Sequence, residues 1–227
     1  MDEVQTLANF PLELDVEKLV EVRPQLAGAQ EKLRELQKYI QPVAFWRELK
    51  VDGQEQNRIS LEEGKLIIDS AYVALGLAGC SKATLLAVTI GQELPHYAQD
   101  CLQKGKLWEG TVADILGSEA VEILAEKIHS YLKGIFLPKG LFSTLRFSPG
   151  YGDWSLKDQE KILEILQTKP KIKVTENYLL EPVKSITALI GWSFMPVSQE
   201  YPQGEKKKGF CAGGQNCAYC TTWACRK

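Results

Sequence analysis

The sequence has little of what marks a protein for a membrane, a nucleic acid or secretion. No run without a charge reaches the ~18 apolar residues that a membrane span needs, and Pro196 interrupts the most apolar one, Ser185–Gln199. Lysine plus arginine (27) nearly balances aspartate plus glutamate (29), so no basic field attracts nucleic acid or anionic lipid. The first residues are acidic, which is unlike a signal peptide. We therefore expect a cytoplasmic protein with no nucleic-acid or membrane partner.

The chain also lacks the glycine-rich signatures of nucleotide-binding folds. No G-x-G-x-x-G follows its best predicted strand and no P-loop is present, so a Rossmann or NTP-binding fold has no support. With 227 residues, 44% hydrophobic and 25% charged, it is large enough to bury a core without disulfides. Helices and strands alternate irregularly, which predicts an α+β fold with long helices packed on a mostly antiparallel sheet.

Cysteine usage divides the chain at about residue 198. We expect one α+β domain over 1–198 and a polar linker with a Cys-rich tail over 199–227. Cys80 and Cys101 stand in apolar surroundings and are predicted to be buried. The tail carries the other four cysteines, Cys211, Cys217, Cys220 and Cys225. Four thiolates of this kind hold zinc or an iron–sulfur cluster; free thiols and, less expected without a secretory signal, disulfides remain open.

Apolar periodicity predicts the regular elements. The predicted helices are Gln25–Ile40, one from about Leu66 capped by the box Ser60–Glu63, Gln92–Lys104, Leu107–Lys133 with a break at Gly117–Ser118, and Ser155–Gln167. The predicted strands are Ala83–Ile90, Ile172–Thr175, Leu179–Leu180 and Ser185–Phe194, and the polar segment Val51–Arg58 is expected to be a loop.

The helix from Leu107 carries a polar row at spacings of three and four. Its members are Glu119, Glu122, Glu126, His129 and Lys133. Such a row is more often a solvated face. The alternative is that Glu122, Glu126 and His129 line a site.

A short motif, Arg146-Phe147-Ser148-Pro149-Gly150-Tyr151, concentrates residues suited to ligand binding. Proline and glycine fix a turn and let a ligand approach the backbone. Arginine offers a bidentate fork to a carboxylate or phosphate. A structural turn with a surface arginine explains the same residues equally well.

After a predicted helix, the segment TENYLLEPVKSITALIGW (175–192) follows this motif. In that order the two segments resemble the activation domain of cobalamin-dependent methionine synthase. Its members carry R-P-x-P-G-Y, a helix, and a T-E-polar-aromatic segment that leads into S-V-S-G-W. Ala125-Glu126 ahead of His129 is similar to the A-E-x-x-H of the family's long helix. The resemblance extends from about Leu107 to Trp192.

The resemblance implies binding of S-adenosylmethionine (AdoMet), whose methyl group passes to a reduced cobalamin. It implies that Arg146 clamps the AdoMet carboxylate and that Tyr151 reaches toward the cobalt as the catalytic residue. The other binding residues that it implies are Ser148, Gly150, Glu122, Glu126 and Tyr178. Since cobalt accepts the methyl group, the protein would orient AdoMet and exclude water rather than supply a nucleophile.

Two departures from the family pattern shape the predicted partners. The D-x-H-x-x-G motif that ligates cobalt is missing, because the only histidines, His96 and His129, stand in other contexts. Cobalamin is therefore expected on a partner, a methionine synthase or corrinoid methyltransferase subunit, with a flavodoxin-like reductant. The Cys-rich tail replaces the family's usual ending, so the alternative is a corrinoid-protein interaction or redox module that has a Cys-ligated metal and binds no AdoMet.

Overall fold

The structure, a computed structural model, describes residues 3–197 of the chain. The strands are β1 Gln5–Ala8, β2 Val43–Glu55, β3 Arg58–Leu61, β4 Leu66–Asp69, β5 Lys82–Thr89, β6 Phe142–Phe147, β7 Lys173–Val174, β8 Leu180–Glu181 and β9 Ser185–Ser193. The helices are α1 Val16–Val22, α2 Gln30–Leu36, α3 Ala71–Gly76, α4 Glu93–Gln103, α5 Leu107–Phe136 and α6 Asp158–Ile165. The predicted metal ligands Cys211, Cys217, Cys220 and Cys225 lie outside the described residues.

Seven strands form one antiparallel sheet. Its order is β4-β3-β2-β5-β9-β6, with β1 paired along the first half of β2. The small strands β7 and β8 pair with each other. The predicted fold class, an α+β domain with a long helix on a mostly antiparallel sheet, is confirmed.

Helices or a hairpin cover both faces of the central strands. Along β5, Leu86 and Val88 face a core made by α1, α2, α4 and α5, whereas Leu85 and Ala87 face a core made by α3, α6 and the β3–β4 hairpin. A strand that is buried on both faces has no polar side to alternate with its apolar one. This explains why β5 was visible in the sequence as one apolar run.

The predicted helix Gln25–Ile40 is only partly correct. Residues Pro24–Leu26 form a 3₁₀ turn, Gly28 adopts φ +78°, and the α-helix is confined to α2 before a second 3₁₀ turn. The apolar positions still face the core, since Leu26, Leu33 and Leu36 are fully buried. The periodicity indicated the buried face correctly but not the left-handed glycine that interrupts the backbone.

The helix predicted from the Ser60–Glu63 box is wrong, and so is the predicted loop Val51–Arg58. Most of Val51–Arg58 extends β2 into a hairpin with β3, while Glu62 and Glu63 take positive φ in the turn before β4. Glu62 accepts a bond from the Lys50 amide, so it caps the hairpin rather than a helix. The apparent helical spacing combined a strand, β4, with the separate short helix α3.

The predicted break of the long helix at Gly117–Ser118 is also wrong, because α5 runs without interruption for 30 residues. Gly117 instead leaves room for the side chain of Lys184, since a Cβ there would stand 3.1 Å from Lys184 Cγ.

Within residues 3–197, no helix combines the length and apolar character that crossing a membrane requires. The buried positions of Cys80 and Cys101 are as predicted.

Candidate functional site

Arg146 lies on the edge strand β6, directly after an irregularity in the strand. The register between β6 and β9 shifts between Ser143 and Arg146, so that three residues on β6 span two on β9. Arg146 is thereby paired with Ile190, whose side chain belongs to the core on the α5 side of the sheet. Without the bulge, Leu145 would take this position. A bulge that redirects a side chain is a device often found beside active sites.

On the α5 side, Arg146 meets two carboxylates of the polar row. Arg146 Nη2 lies 3.4 Å from Glu122 Oε2, and Nη1 lies 3.4 Å from Glu126 Oε2. The arginine side chain is 19% exposed, while the two glutamate side chains are 61% and 60% exposed. The arrangement is a half-buried cation with one solvent-facing acid on each of its terminal nitrogens. We call Arg146, Glu122 and Glu126 the arginine cluster.

The polar row of α5 is therefore not a uniform solvated face. Glu119 pairs with Arg23, and both side chains are about as buried as that of Arg146. His129 is only 3% exposed, and its Nε2 has no hydrogen-bond partner within residues 3–197. Burial, reinforced by the charges of Lys133 and Arg146, lowers the pKa of His129 to about 3. His129 is thus a neutral ring in the core beside the cluster.

The loop after β6 contains the remaining motif residues, Ser148, Gly150 and Tyr151. Gly150 has φ +91° and its amide donates to the Trp154 carbonyl at 2.8 Å. The left-handed backbone at this point favours glycine. Tyr151 is partly buried against the core on the α6 side of the sheet. The loop therefore leaves the edge where Arg146 faces α5 and packs toward the opposite layer.

Tyr178 lies in a tight turn before β8. It has φ +58°, and its amide donates to the Thr175 carbonyl at 2.9 Å. Gln159 of α6 donates from Nε2 to the Tyr178 carbonyl at 2.7 Å and accepts from Thr187 Oγ1 at 3.2 Å. This turn is thus fastened to α6 and to the centre of β9.

The structure brings Arg146, Glu122 and Glu126 into direct contact, and it places Tyr151 and the Tyr178 turn in the layer of α6. Sequence reasoning missed three residues that hold these pieces: Gln159, Lys184 and Asp153. No local sequence pattern marks these residues, because each is an ordinary polar residue in a loop or on a helix. Its role depends on hydrogen bonds or ion pairs to residues far away in sequence. Among residues 3–197, no group of three or more His, Cys, Asp or Glu side chains is placed to hold a metal ion.

Comparisons with known proteins give one informative result. A scan against models of known protein families finds no match, and a search of curated proteins finds no relative. A search of solved structures matches the chain to a crystal structure of the MetH reactivation domain bound to AdoHcy. The TM-score is 0.63 at 15% identity, and the match covers 88% of this chain and 80% of that chain. At this identity the likeness establishes the fold, and the chain therefore shares the fold of the MetH reactivation domain, as the sequence motifs predicted.

Proposed function

We propose that this protein binds AdoMet at the arginine cluster and supports reductive methylation of a cobalamin carried by a separate methionine synthase or corrinoid methyltransferase subunit. The observation that carries the proposal is the cluster itself. A half-buried arginine faces two exposed carboxylates at the sheet edge of a fold that, in the MetH reactivation domain, was solved with AdoHcy. The sequence motif that contains Arg146 resembles the motif of that family's activation domain.

The charges of the cluster suit AdoMet. At neutral pH AdoMet carries a carboxylate, an ammonium and a sulfonium, for a net charge of +1. Arg146 with Glu122 and Glu126 carries a net charge of −1, and His129 adds none because its pKa is about 3. The fork of Arg146 would take the ligand carboxylate, and the glutamates would face its cationic groups. AdoHcy lacks the sulfonium, so the cluster favours AdoMet over AdoHcy.

The other predicted residues lie toward the α6 layer, so to reach them the ligand would extend from the cluster over the edge strand β6. The loop residues Ser148 and Gly150 offer backbone and hydroxyl groups to the adenosine, and Tyr178 offers an aromatic ring on a fixed turn. Tyr151 would lie between the ligand and the docked partner. The partner's cobalamin supplies the methyl acceptor when it is bound, so this chain needs no nucleophile. Its residues hold the ligand in one orientation and exclude water from the transferring methyl group.

The alternative function is a corrinoid-protein interaction or redox module that acts through a Cys-ligated metal in the tail. Four cysteines in the last residues of the chain favour it. It differs from the first proposal in one measurable respect, because it requires no AdoMet binding.

Calorimetric titration with AdoMet and AdoHcy tests the proposed site. The wild-type protein is expected to bind AdoMet more tightly than AdoHcy. Glu126→Gln should reduce this preference by about two- to fivefold, the range for a largely exposed charge. Glu164→Gln is the matched control, since Glu164 pairs with Lys161 on the surface of α6. An unchanged preference in Glu126→Gln would contradict the role of the cluster, and the absence of AdoMet binding would favour the alternative function.

A further inference from the structure

The loop that carries Ser148, Gly150 and Tyr151 is closed by its own backbone. The amide of Gly150 donates to the Trp154 carbonyl at 2.8 Å, and the amide of Trp154 donates to the Tyr151 carbonyl at 3.1 Å. Trp154 itself is buried, and its Nε1 donates to Asp158 Oδ2 at 2.8 Å. These bonds give the loop a defined shape and hold its Trp154 end against α6.

The side chain of Asp153 ties the loop to a second element, α3. Its Oδ2 accepts from the amide of Ala71 at 2.8 Å and its Oδ1 from the amide of Tyr72 at 3.2 Å. Ser70 Oγ also donates to Oδ1. Partial desolvation alone would raise the pKa of Asp153, but these hydrogen bonds outweigh it and hold the pKa below its ordinary value. One carboxylate thus joins the loop to the beginning of α3, more than 80 residues away in sequence.

Close packing at the neighbouring glycine reinforces the same contact. Gly152 has φ +61°, and a Cβ on it would stand 2.7 Å from Tyr72 Cγ. The Tyr72 ring in turn meets the Phe147 ring edge to face, with centroids 5.1 Å apart. The end of β6, the loop and α3 therefore interlock around Asp153, and Phe147 at this end of β6 directly follows Arg146 in sequence.

We propose that Asp153 is a positioning residue that fixes the Ser148–Gly152 loop in the conformation required for ligand binding. The inference rests on the proposed function, because it takes this loop as part of the AdoMet site. Asp153 itself does not touch the ligand. It acts through the amides of Ala71 and Tyr72, which anchor the loop before the ligand arrives, so less ordering remains for the binding step.

Two variants and two readouts test the proposal. In Asp153→Ala all three hydrogen bonds are lost, whereas Asp153→Asn keeps one accepting oxygen. We expect Asp153→Ala to weaken AdoMet binding by about tenfold or more and Asp153→Asn to recover part of that loss. Hydrogen exchange should become faster at the amides of Ala71, Tyr72 and Gly150 in Asp153→Ala. Asp69→Asn, which removes a similar charge from a surface ion pair with Arg58, should change neither readout.

A purely structural role predicts that affinity follows stability. Ile162→Val, at a fully buried position of α6, should lower the melting temperature while leaving the three hydrogen bonds of Asp153 in place. AdoMet affinity should survive in Ile162→Val and fall in Asp153→Ala. Wild-type affinity in Asp153→Ala would overturn the inference and leave the proposed function intact. If the wild-type protein binds no AdoMet, the proposed function fails, and unchanged exchange at Gly150 in Asp153→Ala would show that Asp153 does not order the loop either.

Discussion

The side chain of Lys184 crosses α5 at Gly117, where its Cγ lies 3.1 Å from the position that a Cβ would occupy. Its Nζ reaches Asp114 Oδ1 at 2.7 Å and donates to Ser118 Oγ at 2.8 Å. Lys184 is the residue before β9, so these contacts fasten the segment after the Tyr178 turn to α5. They do so one helical turn before Glu122 and thereby fix the helix beneath the arginine cluster.

This packing predicts the effect of Gly117→Ala. In an open helical position, alanine stabilises by up to about 1 kcal/mol relative to glycine. At position 117 the added methyl group presses on the tethered Lys184 chain, so we expect a destabilisation of about 1 kcal/mol. Urea denaturation measures the difference.

Two further variants control for helix propensity. Gly134→Ala, in the same helix with nothing within 4 Å of its Cβ position, should stabilise. In a Lys184→Ala background, Gly117→Ala should also stabilise, because the obstructing chain has been removed. The same destabilisation in both backgrounds would contradict the contact.

The sequence predicted helices and strands best where burial alone determined the pattern of apolar residues. The run in β5 is apolar because both faces are covered, and the stripes of α4 and α5 each face one core. It failed where short elements adjoin, since residues on either side of Ser70 combine β4 and α3 into one apparent helix. The predicted helix break at Gly117 was also wrong. The glycine there makes room for Lys184, which lies 67 positions later in the sequence.

The arrangement of the candidate site could be predicted only in part, because some of it depends on contacts between distant segments. The Arg146 motif stood out because its unusual residues are consecutive, and the helical row predicted that Glu122 and Glu126 share a face. Their approach to Arg146 depends on the bulge in β6, which no local pattern indicates. The contact of Arg146 with Glu122 and Glu126 is observed. The binding roles of these three residues and of Ser148, Gly150, Tyr151 and Tyr178 stay predictions.

Burial of His129 predicts a specific pH dependence. The pKa of His129 is about 3 in the folded protein and about 6.5 in an unfolded chain. Between these values only the unfolded state binds the proton, so the free energy of unfolding falls as the pH is lowered, by up to about 1.4 kcal/mol per pH unit. His129→Leu should remove this contribution, which is measured by comparing urea denaturation of variant and wild type from pH 7 to pH 5.

His96→Gln is the matched control, because His96 is exposed on α4 and is the only other histidine. It should follow the wild-type profile. A His129→Leu profile that runs parallel to that of the wild type would show that the ring is not held neutral.

The four cysteines of the tail predict a bound metal. If Cys211, Cys217, Cys220 and Cys225 bind one zinc ion or iron–sulfur cluster, anaerobically purified protein should contain it, and Cys217→Ser with Cys220→Ser should abolish it. Cys101→Ala, at a buried site in α4, should retain the metal. Elemental analysis and the visible spectrum provide the measurement. If the reduced wild-type protein contains no metal, the four cysteines are free thiols.

Binding of AdoMet to Arg146 is the central claim, and calorimetric titration of Arg146→Ala against the wild type tests it most directly. The account predicts that the wild type binds AdoMet and that the variant folds normally but binds more weakly by about 2–4 kcal/mol, the loss of a charge-assisted pair in a half-buried site. Arg58→Ala, which removes a surface arginine paired with Asp69, should bind as the wild type does. Equal AdoMet affinity in Arg146→Ala and the wild type, or no binding by the wild type, would contradict the account.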